Sequence, residues 1–393
     1  MSLIRQRRLR SGLLWLHRWL GFGLAAVLLI VGLSGSVLVF YPNLDRGLNP
    51  ELNQVFACAP IAPEQALLRL QQQLPERVGS WRLEMPLATG LPYNARFMKP
   101  VETAGEGFAP MLVWLNPCNG EVLRTAFWGH TLMTWTYNLH YQLLAGSNGV
   151  LLLAIVALLA LLMTVIGLLL WWPSGHWRKA LRWRTSAHPA VSAWQRHVLV
   201  GFYSLPLWLL LLVTGLMLEK PDWFAPLIQQ WSATRPLPML TAHSVMDHSV
   251  LEPGSRVVLQ PVSANQVLEQ AYKRFPAAEV RWLESPADMM APWQVRLYQD
   301  GEPSRRFPQT RVWIDPFSGQ LLASRDPFED TAGDTLLRWL YPLHSGEALG
   351  LFGRWLVLLT GLLPLWMLYS GWQRFWIKRQ SRRASHYRSL RKD

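Results

Sequence analysis

Four of the ten histidines stand in matched settings. His17 opens His-Arg-Trp-Leu-Gly-Phe and His197 opens His-Val-Leu-Val-Gly-Phe, each at the start of a long apolar run. His140 closes Trp-Thr-Tyr-Asn-Leu-His and His344 closes Trp-Leu-Tyr-Pro-Leu-His, each just before another apolar run. Neutral imidazole is a ligand for iron, zinc or copper. Two imidazoles facing across an axis would therefore hold one metal between them. An apolar helix bundle favours a large, flat, apolar ligand, which points to haem. No C-x-x-C-H occurs, so the expected group is non-covalent haem b, one per pair and two per chain. The expected axial ligands are His17 with His197 and His140 with His344.

Glycine spacing accompanies the histidines. Gly21 and Gly201 follow His17 and His197 by four residues, and Gly35 and Gly215 follow them by eighteen, five helical turns on. All four share the histidine face and are expected to leave room for a stacked porphyrin. Packing of helices through small residues is the competing explanation. His130 lies ten residues before His140 and would assist or replace a ligand; its counterpart further along the chain is Asp334. His243, Asp247 and His248 sit in an insertion and read as a solvated loop or a metal contact. His176, His188 and His386 lie in basic segments and read as surface residues.

Helices long enough to cross a bilayer must position these groups. Only 16% of the 393 residues are charged, against ~25% in ordinary soluble domains. Residues Gly21–Phe40, Val150–Trp172, His197–Leu218 and Gly350–Trp372 are each apolar over the ~20 residues that span a membrane, Arg354 being the one Lys or Arg among them. The formal charge of +13 is not spread over the chain. Of 38 Lys and Arg, 18 fall in residues 1–18, 173–196 and 373–393, where Asp393 is the only acid. That leaves no basic domain for nucleic acid. The positive-inside rule places those three segments, and both termini, in the cytoplasm. The polar segments between the spans then lie outside, in the periplasm if the membrane is a bacterial inner membrane.

The chain also repeats itself. Each half reads as span, polar α+β segment, span. Pro63–Leu74 and Ser263–Phe275 have amphipathic helical spacing. Trp114-Leu-Asn-Pro-Cys-Asn-Gly120 parallels Trp313-Ile-Asp-Pro-Phe-Ser-Gly319, a strand running into a turn. Expected boundaries are 1–42 for the N-terminal segment and first span, 43–128 for the first outer domain, and 129–172 for a helix and the second span. A basic loop follows over 173–196, the third span over 197–219, the second outer domain with its insertion over 220–334, a helix and fourth span over 335–376, and a basic tail over 377–393. The fold class is thus a membrane protein: a four-helix transmembrane bundle from a duplicated unit, with two small α+β periplasmic domains.

Cys58 and Cys118 both fall in the first polar segment, where an oxidising compartment permits a disulfide. Arg82, Arg96, Arg281, Arg296 and Arg311 are candidates for an anionic ligand, though strand alternation leaves most of them expected on solvated faces. No P-loop, G-x-G-x-x-G, G-x-S-x-G or H-E-x-x-H is present, so the chain carries no visible nucleotide or flavin site.

The His-x-x-x-Gly-Phe openings, the Leu-His before each returning span, and the Trp-x-[Asn/Asp]-Pro-x-x-Gly turns resemble PepSY-associated transmembrane proteins. Those are often described as iron-regulated inner-membrane proteins. Asn138 stands where the family often has a second histidine. The resemblance implies two PepSY-like outer domains and His17, His140, His197 and His344 as haem ligands. Some members are siderophore reductases, so it also implies an oxidoreductase that reduces ferric siderophore in the periplasm and releases Fe²⁺. The electron donor would be a quinol or a cytoplasmic reductase. Three alternatives stand beside this: a haem-free regulator or interaction protein, a b-type cytochrome serving another acceptor, and a transporter. No acid lies mid-span, which disfavours the transporter.

Overall fold

The computed structural model describes residues 3–173, 175–183, 188–238, 240 and 261–389. His243, Asp247 and His248 lie outside them. The chain divides into two compact units. One comprises Met1–Phe40, Thr136–Phe224 and Leu343–Asp393; the other comprises Tyr41–Trp135 and Ala225–Pro342.

The first unit is helical. Its main elements are α1 (Leu3–Leu38), α6 (Gly146–Trp171), α8 (Pro189–Glu219), α12 (Gly350–Gly361) and α13 (Leu363–Ser389). They supply four stretches long and apolar enough to cross a membrane: Gln6–Leu38, Gly146–Trp171, Pro189–Glu219 and Glu347–Ser381. The helices outrun the apolar runs. The 36 residues of α1 reach about 54 Å at 1.5 Å each, well beyond a ~30 Å hydrocarbon core. Hydropathy marks the slab; the helix continues because Arg, Leu and Gln are good helix formers. The basic segment expected as a loop over 173–196 accordingly starts α8 at Pro189, and the tail is helical to Ser389.

Within this unit α1 packs on α6, α12 and α13, and α8 packs on α6, α12 and α13. Leu24, Val156 and Ala160 are buried between α1 and α6. Trp208 Nε1 donates to Thr164 Oγ1 at 3.1 Å, a polar tie from α8 to α6. The fourth span breaks at Leu362, between α12 and α13. Pro364 has no N–H for the helical ladder, and Gly361 presses against Gly32 so closely that neither could carry a Cβ.

The second unit holds helices α2 (Tyr41–Leu48), α3 (Pro50–Asn53), α4 (Pro63–Gln73), α9 (Pro221–Gln229, its last residues here) and α10 (Ala264–Arg274). Its strands are β1 (Trp81–Glu84), β2 (Tyr93–Phe97), β3 (Met111–Leu115), β4 (Val122–Phe127), β5 (Glu279–Glu284), β6 (Trp293–Tyr298), β7 (Thr310–Ile314) and β8 (Leu321–Arg325). Helices α5 (Leu132–Gln142) and α11 (Ala332–Ser345) run from this unit into the other, and α7 (Trp177–Leu181) belongs to the helical unit.

The sequence pattern draws two separate α+β domains over 43–128 and 220–334. Their strands instead make one eight-stranded antiparallel sheet, in the order β4-β3-β2-β1-β5-β6-β7-β8. The seam is β1 on β5, with Arg82 opposite Glu284, Leu83 opposite Leu283 and Glu84 opposite Trp282. Period-2 alternation reveals that a strand has an apolar face; it is silent on which neighbour takes its edge. The seam is reinforced off the ladder. Met85 N–H donates to the Arg281 carbonyl at 2.8 Å, and Ser285 N–H to the Trp81 carbonyl at 2.8 Å. Arg281, 2% exposed, donates to the carbonyls of Met85 and Pro86 at 2.8 and 3.0 Å.

One sheet face carries the core. Leu83, Ala95, Val113, Leu115, Leu283, Val295, Leu297 and Ile314 are fully buried there, with Leu70 of α4 and Val267 and Ala271 of α10. A fully buried Leu or Ile stabilises by ~1.5–3 kcal/mol. The helix α10 starts at a capping box: Ser263 accepts from Gln266 N–H, and the Gln266 side chain accepts from Ser263 N–H. Both Trp-x-[Asn/Asp]-Pro turns close alike. Asn116 Oδ1 accepts from Cys118 N–H, and Asp315 Oδ1 from Phe317 and Ser318 N–H; Gly120 and Gly319 then take left-handed φ of 74° and 70°.

Cys58 and Cys118 form a disulfide, their Cα atoms 5.7 Å apart. It closes a loop of 60 residues, worth ~2–4 kcal/mol by restricting the unfolded chain. Reduction, or the Cys58→Ser and Cys118→Ser pair, is expected to lower the denaturant stability of the sheet unit by that amount. Unchanged unfolding midpoints would show that the bridge contributes nothing.

Candidate metal centre

The helical unit brings the four matched histidines into two pairs. His17 of α1 faces His197 of α8 with ring centres 6.3 Å apart. His140 of α5 faces His344 of α11 with ring centres 6.2 Å apart. Along α1, His17 and Gly35 are eighteen residues apart, about 27 Å at 1.5 Å per residue. Since His140 rests on Gly35, one pair sits near the middle of that helix and the other near its C-terminal end.

Each imidazole leans on a neighbouring helix at a glycine. A Cβ on Gly167 would come 3.0 Å from His17 Cε1, and one on Gly35 would come 2.7 Å from His140 Cε1. The same atom of His344 would be 3.0 Å from a Cβ on Gly215, and that of His197 would be 3.7 Å from one on Gly371. So Gly35 and Gly215 border imidazoles, while Gly21 and Gly201 face methionines: Met163 Sδ at 3.7 Å and Met367 Cε at 3.1 Å. Helical spacing placed all four glycines on the face of His17 and His197, with room for a porphyrin; Gly35 and Gly215 instead pack against His140 and His344. It missed that each ring tilts across the helix interface instead of along its own helix.

The ring nitrogens are sorted by their partners. His17 Nδ1 lies 3.0 Å from the Met163 carbonyl, and His140 Nδ1 lies 3.0 Å from the Val31 carbonyl. A carbonyl only accepts, so Nδ1 carries the proton in both. His344 Nδ1 meets Thr214 Oγ1 at 3.0 Å, and His197 Nδ1 meets Ser370 Oγ at 2.9 Å. Both hydroxyls also reach a carbonyl one turn back, Thr214 to Leu210 at 2.6 Å and Ser370 to Trp366 at 2.9 Å. Their protons are spent there, and their oxygens accept from Nδ1–H. Ser34 repeats the device, donating to the Ile30 carbonyl at 2.6 Å and lying 3.3 Å from His140 Nδ1. All four histidines are thereby held with Nδ1–H donating, which leaves the lone pair on Nε2. A ring fixed in this way is a prepared metal donor.

The sequence shows Ser34-Gly35 and Thr214-Gly215 as matched hydroxyl-glycine pairs without giving their hydroxyls a role, and Ser370 was passed over. The signal was a hydroxyl residue directly before Gly35, Gly215 and Gly371. At Gly167 the preceding residue is Ile166, and the Met163 carbonyl does the work alone.

A graded test follows from the glycines. Gly35→Leu is expected to push His140 off its partner and abolish whatever that pair binds. Gly21→Ala meets only ordinary contact and is expected to change little. Equal behaviour of the two variants in a metal or haem assay would disconnect Gly35 from the site.

Other candidates are placed elsewhere. His130 is half exposed, and its Nε2 is 3.0 Å from Glu106 Oε1. Its counterpart Asp334, 4% exposed, accepts from Arg325 at 3.2 Å and from Arg235 N–H at 3.1 Å. Among the described residues, no three His, Cys, Asp or Glu side chains gather to hold a metal ion.

Of the arginines expected on solvated strand faces, Arg281 and Arg311 are buried and Arg82, Arg96 and Arg296 half-buried. Opposite the apolar core, the second sheet face carries Arg82, Arg96, Arg296 and Arg311 among tryptophans. Arg82 and Arg296 stand 4.6 and 4.3 Å from the Trp282 ring, and Arg96 stands 5.4 Å from Trp128. Alternation shows that a face is polar; the tryptophans that cover it come from other strands and loops.

Paired histidines at helix interfaces and four apolar spans define this as a polytopic membrane protein. The chain belongs to the PepSY-associated TM region family, whose model matches residues 14–379. No curated protein matches it.

Proposed function

We propose that this chain is a haem-b reductase of the bacterial inner membrane that passes electrons to ferric siderophore in the periplasm. One observation carries the reading: two pairs of neutral imidazoles, each with Nδ1–H engaged and Nε2 left to bind. Each pair offers two donors, and a macrocycle would supply the remaining ligands of a metal. The ring spacing fits. With metal–nitrogen bonds of ~2.0–2.1 Å and a ring centre about 1.2 Å beyond each nitrogen, two axial imidazoles have centres about 6.4 Å apart. The observed values are 6.3 and 6.2 Å.

When bound, haem b supplies a one-electron iron couple. The protein's part is to hold the two groups apart along α1 in an apolar bundle, fix the axial rings and exclude water. His17 and His197 would serve the cytoplasmic side, where a quinol or reductase delivers electrons. His140 and His344 would serve the periplasmic side. The substrate is Fe³⁺ in a chelate of hard oxygen donors, which release Fe²⁺ far more readily after one-electron reduction. The disulfide in the sheet unit suits an oxidising compartment, and the repeated element order suits an internal duplication. We infer both termini on the cytoplasmic side from the charge distribution.

The test is purification in mild detergent followed by oxidised and dithionite-reduced spectra with haem quantified per chain. Two haems of b type, and reoxidation on adding a ferric siderophore with Fe²⁺ trapped by a chelator, is the expected result. A haem-free chain from haem-replete cells would overturn the reading and favour a regulator. Haem that is not reoxidised would leave a cytochrome for another acceptor.

A further inference from the structure

The two halves of the sheet differ in charge on their second face, and the difference is directional. In the first half Arg96 pairs with Glu84 at 2.8 Å. Their equivalents by position are Arg296 and Glu284, each flanking the same core residues. Glu284 is taken by Arg82 from across the seam, at 3.1 Å. Where the first half has Leu112, two residues before Trp114, the second has Arg311, two residues before Trp313. Arg311 stands directly opposite Arg296 in the β6–β7 ladder and is 8% exposed. The second half therefore keeps two guanidiniums side by side without a carboxylate of their own.

Their other partners do not cancel the charge. Arg296 has the Trp282 ring, and Arg311 donates to Gln309 Oε1 at 3.0 Å. Glu302, the other nearby acid, accepts from Gln309 N–H, Gln299 N–H and Thr310. The Nε atoms of Arg296 and Arg311 and Nε2 of Gln294 are buried without an acceptor among the described residues. Gln294 is two residues from Arg296, on the same face. Burial, then the Arg311 and Arg82 guanidiniums, lower the Arg296 pKa to about 9; burial and Arg325 lower Arg311 to about 10. Both stay charged at neutral pH. Uncompensated buried charge is costly, and fixed Arg forks match carboxylates.

An open cavity of about 320 Å³ begins at Gln294, two residues along β6 from Arg296, and is lined also by Trp313, Glu284, Ser285, Pro238 and Leu240. We propose that Arg296, Arg311 and Gln294, with this cavity, bind a carboxylate arm of an organic anion, and that the iron chelate reduced by this protein is therefore a carboxylate-bearing one. The second clause rests on the proposed function; the first does not. The volume admits an arm of a chelate, with the remainder outside. Trp313 lines the cavity, and Glu284 is neutralised by Arg82.

The experiment is calorimetric titration of the full chain in detergent with citrate, with inorganic phosphate as a second probe at matched ionic strength. Two variants accompany it. Arg311→Leu restores the residue that the first half carries at that position, so the fold is expected to stand. Arg296→Gln keeps a donor without charge. Saturable citrate binding, weakened at least about tenfold by either variant as a charged hydrogen bond is lost, upholds the site. No saturable citrate binding, or binding by both variants as tight as that of the unaltered protein, overturns it. Phosphate bound as tightly as citrate overturns the carboxylate assignment. Haem content measured on the same samples separates the two claims: a haem-free chain that binds citrate fails as a reductase and keeps the anion site.

Discussion

Replacing His140 with alanine is expected to leave one haem per chain where the proposed function gives the unaltered protein two. The pair it breaks would supply both imidazole donors for one group, and a single imidazole would keep half of them. His344→Ala should match it, and His17→Ala and His197→Ala should each remove the other haem. The pairs lie about 27 Å apart along α1, so losses from different pairs should add, and the His17→Ala, His140→Ala double variant should bind none. Reduced-minus-oxidised spectra with haem quantification read this directly. His130→Ala is the control, since that side chain is held by Glu106 and takes no part in either pair. Thr214→Val probes the supporting hydrogen bond. It removes the hydroxyl that receives Nδ1–H of His344, and loss of such a supporting partner typically lowers metal affinity 10–100-fold. Retention of both haems in His140→Ala would reassign that pair to helix packing.

The second large effect lies at the sheet seam. Leu83 and Leu283 sit opposite one another on β1 and β5, both fully buried. Leu83→Asp would place a carboxylate in that apolar layer with no partner. The lost burial and the unpaired charge together cost several kcal/mol, a large share of a domain's ~5–15 kcal/mol. Because β1 and β5 join the halves, the whole eight-stranded sheet is expected to lose stability in one transition. Thermal unfolding followed by Trp fluorescence, together with proteolysis of both halves, tests this. If the second half kept its native protease resistance while the first was cut, the halves would be independent domains and the seam incidental.

Much of this architecture is legible in the residues, and the limits have physical causes. The spans are legible because a bilayer demands ~20 apolar residues. Helices α4 and α10 show their amphipathic spacing, and the paired turns at Asn116 and Asp315 show Asx chemistry. The histidine pairing was expected from matched positions alone, since equivalent residues of two halves meet near a common axis. What the sequence leaves open is lateral. Nothing in Trp81–Glu84 states that its free edge will meet Glu279–Glu284, some 200 residues later. Likewise, the matched positions of Ser34 and Thr214 are visible in the sequence, but what their hydroxyls and that of Ser370 hold shows only when a ring is brought across from another helix. The burial of Arg296 depends on Trp282 from another strand, so alternation alone misread it as solvation.

The seam also has a consequence for how the chain is made. Strand β1 is complete at Glu84, but its partner ends at Glu284. At ~5–20 residues per second, the ribosome needs on the order of 10–40 s to supply the missing strand. During that interval two spans must insert, while β1 waits with a row of unpaired backbone groups. An exposed edge of this kind is a template for any similar strand. The nearest similar strand is the β1 of another nascent copy, which could form a swapped, intermolecular sheet of the same register type. Crowded synthesis of this protein is thus expected to yield seam-swapped oligomers, and chains truncated before Glu279 to be the most prone to form them.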